Sequence, residues 1–348
     1  MRSWLWRACA LATVGGLVVA GCGADTPDAG SAGSGSEKGS DVRVAFNWTT
    51  PLPDWTGPLL AREAGLYEDE GLGVEFQFVK GSTVSVQTVG AGSNNIGFAG
   101  PETFLNGVAE GLPLVAVAAQ FQTTPTGVIA RADSGIDSLE DLEGRKVSSA
   151  QEGPEPSMLT GQLAALGKSE DAVEFVYVDP QAKCTVMLAG RTDACTGFDN
   201  FQLATSLVEG EDVRFVPFST PERPILGHVV FTTRDFLESD PEAVRGFLAA
   251  TCLGYKQAVE DEDAMLKTWT DSIVPEDDPA YVELAMKATH THLLSPTTKE
   301  HVWGWMDPRP WNVLQEVLVD GGILEEQVGL DDAYTNEYLP DRSTCDFG

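Results

Sequence analysis

Residues 42–57 read VRVAFNWTTPLPDWTG and begin a segment, 42–107, in which strand and helix patterns alternate. Apolar runs and period-two alternation predict strands, whereas apolar residues spaced three and four apart predict helices. The predicted strands are 42–46, 74–79 and 96–102, the last ending in a turn, and the predicted helices are 58–63 and 84–90. A chain that alternates in this way builds a parallel sheet covered by helices, so we expect an α/β fold.

Polar and aromatic side chains follow these strands at the points where they end. Asn47 and Trp48 follow the first strand, Ser82 follows the second, and Glu102 follows the third. In open parallel sheets, ligands bind outside the carboxyl ends of the strands, where loops and helix N-termini converge. The sequence therefore predicts a binding site at this edge of the sheet.

Several motifs resemble the SsuA/THI5-like (NMT1) substrate-binding proteins of ABC importers. Those resembling the N-terminal lobe are FNWT at 46–49, AGLYEDEGL at 64–72 and IGFA at 96–99. GIDSLEDLEGRKV at 135–147 resembles the motif that opens the second lobe in such proteins. DPRPWNVL at 307–314 and TNEYLP at 335–340 resemble the C-terminal end of the thiamine-precursor (THI5-like) branch. The resemblance covers about residues 42–340.

This resemblance implies a type II periplasmic-binding-protein fold, in which two lobes are joined by two crossing strands with a ligand cleft between them. The implied division is 41–126 for the first part of lobe 1, 127–229 for lobe 2, and 230–348 for a mostly helical second part of lobe 1. At 348 residues the chain is long enough for two cores of ordinary domain size.

The N-terminal residues predict export and lipid anchoring. Arg2 and Arg7 precede an apolar run that ends in VAGC at 19–22, which resembles a bacterial lipobox with cleavage before Cys22. The alternative is an ordinary secretory signal in which Cys22 is incidental. Residues 1–21 are interpreted as the signal peptide, and 22–40, rich in Gly, Ser and Ala, as a flexible tether to the membrane. We expect the protein on the extracytoplasmic face of the cell membrane.

Four cysteines remain after export, which is a context that favours disulfides. Four cysteines allow three pairings. We favour Cys184–Cys195, which would join a helix to the next strand, and Cys252–Cys345, which would hold the C-terminus; free buried thiols are the alternative. None of these pairs has the short spacing of a zinc site, so no metal is expected.

Charge and motifs exclude several classes of function. The chain has 53 acidic and 22 basic residues, a net charge of −31, which disfavours nucleic acid as a partner. It contains no GxSxG, HExxH, P-loop or GxGxxG motif, and no cysteine-rich segment like that of the fungal THI5 pyrimidine synthases. We therefore expect no enzyme and no cofactor. We interpret His290 and His292 as solvated surface residues, and His228 as a packing residue more readily than a cleft residue.

Eleven side chains are candidates for ligand binding: Asn47, Trp48, Asp54, Trp55, Ser82, Thr83, Glu102, Gln122, Glu152, Asp199 and Asn200. Four are carboxylates, and none is lysine or arginine. Carboxylates accept hydrogen bonds from ring amines, and an exposed indole such as that of Trp48 can stack on a planar ring. For Trp303, Trp305 and Trp311, which lie in helical C-terminal sequence, packing is the better interpretation.

The sequence thus predicts a monomeric, lipid-anchored binding protein that closes like a hinge over a small planar heterocycle and delivers it to an ABC permease. The resemblance favours a thiamine pyrimidine precursor of the hydroxymethylpyrimidine type. Riboflavin, an alkanesulfonate or nitrate is the alternative solute. A THI5-like pyrimidine synthase is the alternative from another class.

Overall fold

The computed structural model describes residues 39–151 and 153–347. The predicted signal peptide, Cys22 and nearly all of the tether lie outside the described residues, as does Glu152. None of the helices within the described ranges is long and apolar enough to cross a membrane.

The first lobe is built on a five-stranded sheet with the strand order β2-β1-β3-β10-β4. Its strands are β1 (Ser40–Phe46), β2 (Leu72–Phe78), β3 (Ile96–Ala99), β4 (Leu114–Ala119) and, from later in the chain, β10 (Val229–Thr233). Its first helices are α1 (Thr56–Glu63), α2 (Leu66–Asp69), α3 (Gly81–Gly90) and α4 (Pro101–Ala109). β1 pairs in parallel with β2 and β3, whereas β10 runs antiparallel to β3 and β4.

The second lobe has a sheet of the same size, with the order β7-β6-β8-β5-β9. Its strands are β5 (Thr126–Arg131), β6 (Lys146–Ser149), β7 (Glu174–Tyr177), β8 (Ala194–Phe198) and β9 (Val213–Pro217). Its helices are α5 (Glu155–Ala165), α6 (Lys183–Leu188) and α7 (Ala204–Val208), and a π-helical turn, Asp199–Leu203, connects β8 to α7. The two lobes confirm the expected α/β class.

The chain passes between the two sheets twice, once between β4 and β5 and once between β9 and β10. The two crossing segments are joined by backbone hydrogen bonds: Gln120 N–H donates to His228 O at 2.8 Å, and Gly227 N–H donates to Phe121 O at 3.1 Å. A paired crossing of this kind holds the lobes side by side. The residue boundaries assigned to the lobes from the sequence remain predictions.

Helices cover the first lobe after the second crossing. They are α8 (Arg234–Ser239), α9 (Pro241–Glu260), α10 (Glu262–Thr268), α11 (Pro279–Leu293), α12 (Pro296–Glu300) and α13 (Pro308–Asp320). α9 crosses α1 at Gly254 and Gly57. The two helices approach so closely that a Cβ on Gly254 would lie 2.0 Å from Gly57 O, so a larger residue would not fit there. This close approach places Tyr255 of α9 beneath the loop that follows β1.

α13 also packs against lobe 2. A Cβ on Gly161 of α5 would lie 2.1 Å from Val317 O of α13, so the two helices touch through backbone. Trp311 of the same helix is fully buried and lies 6.0 Å from the Phe104 ring of lobe 1. The C-terminal helical region therefore contacts both lobes.

The described part of the chain contains two disulfides, and they are the pairings favoured from the sequence. Cys184 of α6 is bonded to Cys195 of β8, and Cys252 of α9 is bonded to Cys345 near the C-terminus. The first fixes a helix of lobe 2 to its sheet, and the second holds the last residues of the chain on the lobe 1 core. Trp303, like Trp311, is fully buried, in agreement with the packing role expected for both.

Candidate binding site between the lobes

A cavity of about 610 Å³ lies between the two lobes. Its walls are formed by the loop after β1 and the N-termini of α3 and α4 in lobe 1, and by the segments after β6 and β8 and the N-termini of α5 and α6 in lobe 2. The structure brings eight of the eleven candidate residues into its lining: Asn47, Trp48, Asp54, Trp55, Ser82, Thr83, Glu102 and Asn200. This volume suits a small organic molecule.

Ser82 connects the carboxyl ends of β1, β2 and β3 in lobe 1. Its hydroxyl oxygen accepts hydrogen bonds at 3.0 Å from Asn47 Nδ2, after β1, and at 3.0 Å from Gly100 N–H, after β3. Ser82 itself follows β2 at the start of α3. The Asn47 Oδ1 atom is buried and has no hydrogen-bond partner within the described structure, so an acceptor is left available beside the cavity.

The two tryptophans of the β1 loop differ in their surroundings. Trp48 is half-buried, lines the cavity and lies 6.1 Å from the Phe201 ring of lobe 2, with the rings nearly perpendicular. Trp55 is 1% exposed and packs against Phe46 at 4.8 Å. Its Nε1–H, like Asn47 Oδ1, has no partner in the described part of the chain. Trp48 thus lines the cleft with a partly exposed ring, whereas Trp55 lines it from a buried position in lobe 1.

Asp54 accepts hydrogen bonds from three neighbouring side chains. Its backbone oxygen accepts hydrogen bonds from Gln120 Nε2 at 2.7 Å and from the Tyr255 hydroxyl at 2.8 Å. Its Oδ1 atom accepts a hydrogen bond from Asn200 Nδ2 of lobe 2 at 3.1 Å. Burial raises the pKa of Asp54 to about 7, because a carboxylate without water is destabilised.

Glu102 lies in the first turn of α4. Burial raises the pKa of Glu102 to about 7, and the neighbouring carboxyl of Glu155 acts in the same direction. The nearest side-chain donor is the hydroxyl of Thr103, at 3.5 Å. Asp54 and Glu102 therefore contribute two poorly solvated carboxyl groups to the cavity lining.

Lys183 and Glu155 also line the cavity, and the sequence-based candidate set did not include them. Lys183 Nζ lies 2.8 Å from Glu155 Oε1, and the two side chains are only 3% and 8% exposed. The candidate set, which contained no lysine or arginine, therefore missed this pair. The two residues start different helices, so only the packing of α6 beside α5 reveals the pair.

Two candidates lie outside the cavity lining. Gln122 donates through Nε2 to Trp305 O at 2.9 Å, which ties the first crossing segment to the C-terminal region. Asp199 bonds instead to His292, with both carboxylate oxygens 2.9 Å from Nε2. Glu152 lies outside the described residues, and no position is assigned to it.

The expectation of solvated histidines at 290 and 292 is wrong. His290 is 5% exposed and lies 2.8 Å from Glu262, and His292 is 7% exposed. Both lie on α11, which is covered on one side by the π-helical turn of lobe 2, a contact that the local sequence does not indicate. His228 lines the cavity and also packs 5.6 Å from the Phe121 ring. Burial lowers the pKa of His228 to about 4, so this imidazole is neutral at physiological pH.

Two α/β lobes joined by a double crossing around a cleft define the periplasmic-binding-protein class of fold. A solved structure with this architecture is the alkanesulfonate-binding protein SsuA from Xanthomonas axonopodis pv. citri bound to MOPS, which superposes with a TM-score of 0.65 at 16% identity and covers 86% of this chain and 99% of its own. At this level of identity the likeness shows the fold.

Sequence comparison gives the family. The profile described as NMT1/THI5 like matches residues 52–265, and the chain belongs to this family. It is similar to a 4-amino-5-hydroxymethyl-2-methylpyrimidine phosphate synthase of Legionella pneumophila, at 25% identity over 88% of this chain and 95% of the relative. It is also similar to a formylaminopyrimidine-binding protein of Halalkalibacterium halodurans, at 23% identity over 85% of this chain and 89% of the relative.

Proposed function

We propose that the protein is the extracytoplasmic solute-binding component of an ABC importer and that it binds a thiamine pyrimidine precursor of the hydroxymethylpyrimidine type. The observation that carries the proposal is the cleft between the lobes, which combines an aromatic face at Trp48 with hydrogen-bonding groups at Asn47, Asp54 and Asn200. Both relatives described above are named for aminopyrimidine chemistry, one as a binding protein and one as a synthase. Cys22 is proposed to carry the lipid anchor.

Binding is proposed to favour a closed arrangement of the lobes. Asn200 of lobe 2 already donates to Asp54 of lobe 1, so a ligand that touches both residues contacts both lobes at once. A ligand can drive closure only by the difference between its affinities for the closed and open states. A planar ring that packs on Trp48 of lobe 1, donates to Asp54 and contacts Asn200 of lobe 2 has that property.

A thermal-shift and calorimetry screen tests this proposal. The panel is hydroxymethylpyrimidine, formylaminopyrimidine, riboflavin, an alkanesulfonate and nitrate. We expect the pyrimidines to raise the melting temperature, because a bound ligand stabilises the folded state by mass action. A response to the anions alone would replace the pyrimidine with a sulfonate or nitrate as the solute.

The variant Trp48→Ala tests whether this side chain stacks on the bound solute. Loss of ring stacking is expected to weaken pyrimidine binding about tenfold, with Trp48→Phe retaining most of the affinity. The melting temperature of the empty protein should change little, since Trp48 is only half-buried. Equal affinity of Trp48→Ala and the unsubstituted protein would remove the stacking role.

The synthase remains the candidate from another class, because one relative is named for that activity. It is tested by incubating the purified protein with a panel of enzyme cofactors and analysing the products by mass spectrometry. Formation of a pyrimidine without a transporter would support the synthase over the binding protein.

A further inference from the structure

Among the described residues, the charged side chains that line the cavity do not balance. They are the carboxyl groups of Asp54, Glu102 and Glu155 and the ammonium groups of Lys80 and Lys183. His228 adds no charge, because burial lowers its pKa to about 4. With every carboxyl group ionised, the cavity therefore carries one negative charge more than its own residues neutralise.

Neither of the two lysines pairs with Asp54 or Glu102. Lys183 is held by Glu155 at 2.8 Å, with both side chains almost fully buried. Lys80 is exposed. Within the described residues, no ion pair joins Asp54 or Glu102 to a lysine or arginine. A carboxylate buried without a cation is costly, and a bound cation would remove that cost.

Of the carboxyl groups of Asp54 and Glu102, that of Asp54 is better placed to carry a negative charge. Its Oδ1 accepts from Asn200 Nδ2 at 3.1 Å, and the same amide lies 3.3 Å from the Thr289 hydroxyl of α11. Ionisation of Asp54 would make the first of these bonds charge-assisted and so strengthen a contact between the lobes. Glu102, in contrast, has only the Thr103 hydroxyl at 3.5 Å as a side-chain donor within the described structure, and this contact lies inside lobe 1.

We propose that the solute is bound as a planar nitrogen cation, either a protonated ring nitrogen or an amidinium, whose positive charge lies against the Asp54 carboxylate. This inference rests on the proposed function of the cleft as a solute site and specifies the charge of the bound molecule. The Trp55 Nε1–H, buried in the cavity wall without a partner in the described chain, is the adjoining donor for a neutral acceptor on the same molecule.

Cation binding would be linked to loss of a proton from Asp54. The ionisable groups that act on this carboxyl from the surrounding elements are Asp199 and His292, which affect its pKa, and His228, Tyr255 and Tyr281. Because burial raises the pKa of Asp54 to about 7, the empty protein must release a proton to receive a permanent cation below that pH. Affinity for a cation should therefore increase with pH and level off above about pH 7.

Benzamidine and benzamide form a matched pair of probes, since they share a ring and N–H donors and differ in charge. Their affinities for the full-length protein are measured by calorimetry, directly and in competition with hydroxymethylpyrimidine, between about pH 5.5 and 8.5. We expect benzamidine to bind at least about tenfold more tightly than benzamide at pH 8, with its affinity falling about tenfold per pH unit at the acidic end. Benzamide binding should not change with pH.

Three variants identify the residue that holds the charge. Asp54→Asn should abolish the preference for benzamidine and the pH dependence, while Glu102→Gln should retain both. Glu238→Gln, on the exposed side of α8, is the control for removal of a carboxylate elsewhere. Circular dichroism and the melting temperature of each variant show that it is folded, and the pH series on the unsubstituted protein does not depend on any variant.

The outcomes separate this inference from the proposed function. Equal binding of benzamidine and benzamide at all pH values, or loss of the preference in Glu102→Gln but not in Asp54→Asn, would overturn the role assigned to Asp54. Hydroxymethylpyrimidine binding would still stand in that case. A retained benzamidine preference without any hydroxymethylpyrimidine binding would overturn the proposed solute and leave the cation site in place.

Discussion

His292 Nε2 lies 2.9 Å from both carboxylate oxygens of Asp199, so a side chain of α11 in lobe 1 holds the π-helical turn of lobe 2. The other ring nitrogen, Nδ1, lies 2.8 Å from the hydroxyl of Thr123 in the first crossing segment. The backbone oxygen of His292 accepts from Gln122 N–H at 2.9 Å. One residue therefore connects both lobes and the segment that joins them.

Replacing this histidine should loosen the lobes. His292→Ala leaves the Asp199 carboxylate partly buried without its partner, and we expect the free energy of unfolding to fall by about 3 kcal/mol. Small-angle scattering should show a larger radius of gyration for the empty protein. His301→Ala, which removes a ring stacked on Trp305 at 4.1 Å, is the control at a site away from lobe 2. An unchanged radius of gyration in His292→Ala would contradict a role in holding the lobes together.

The buried carboxyls of Asp54 and Glu102 predict the pH dependence of stability. Burial raises the pKa of each to about 7, above the value near 4 expected in the unfolded chain. The folded state therefore binds protons more tightly, and the stability that these groups contribute at low pH is lost as the pH rises from about 4 through 7.

The measurement compares urea unfolding of the empty protein at about pH 5 and pH 8 with that of the Asp54→Asn, Glu102→Gln double variant. We expect the double variant to gain stability relative to the unsubstituted protein at pH 8, by up to about 8 kcal/mol, and to gain much less at pH 5. His228 affects stability in the opposite direction, because its lowered pKa favours the unfolded state as the pH falls from about 6.5 to 4. This residue is present in both proteins, so its effect cancels in the comparison. The same gain at both pH values would contradict a raised pKa for these carboxyls in the folded state.

The Lys183–Glu155 pair should tolerate removal of both charges better than removal of one. Lys183→Met leaves Glu155 buried without a counter-charge and is expected to cost about 3–5 kcal/mol of stability. Lys183→Met combined with Glu155→Gln should recover much of that loss. The exposed pair Lys146–Glu174, at 3.0 Å, provides the matched control, because Lys146→Met should cost less than about 1 kcal/mol. Chemical denaturation measures all three, and equal losses in the single and double variants would contradict the pairing.

The two disulfides should contribute differently to the free energy of unfolding, because they close loops of different length. The cysteines of the Cys252–Cys345 bond are 93 residues apart, whereas those of Cys184–Cys195 are 11 apart. Loop-closure entropy predicts about 4–5 kcal/mol for the long loop and about 3 kcal/mol for the short one. Paired Cys→Ser variants, compared by chemical denaturation, test this order. A larger loss from the Cys184→Ser, Cys195→Ser pair would show that local packing outweighs chain entropy.

Much of the lobe 1 half of the site was predictable from the sequence. Asn47, Ser82 and Glu102 each follow a strand, and neighbouring strands of one sheet necessarily bring such residues to a common edge. Both disulfide pairings were favoured from the sequence, although four cysteines allow three pairings and the spacing alone does not choose among them. Asp199 follows β8 by the same rule but lies outside the cavity lining, because the π-helical turn directs it to His292 instead.

The sequence by itself determined the order of strands and helices, the two-lobed class and the residues at the strand ends, because hydrophobic periodicity and turn residues act over short distances along the chain. Only the tertiary structure decided that Lys183 meets Glu155, that His292 meets Asp199 and that Asn200 reaches Asp54. Those partners come from helices and loops far apart in sequence. Their contacts depend on how the helices pack and how closely the two lobes approach, which local patterns do not encode.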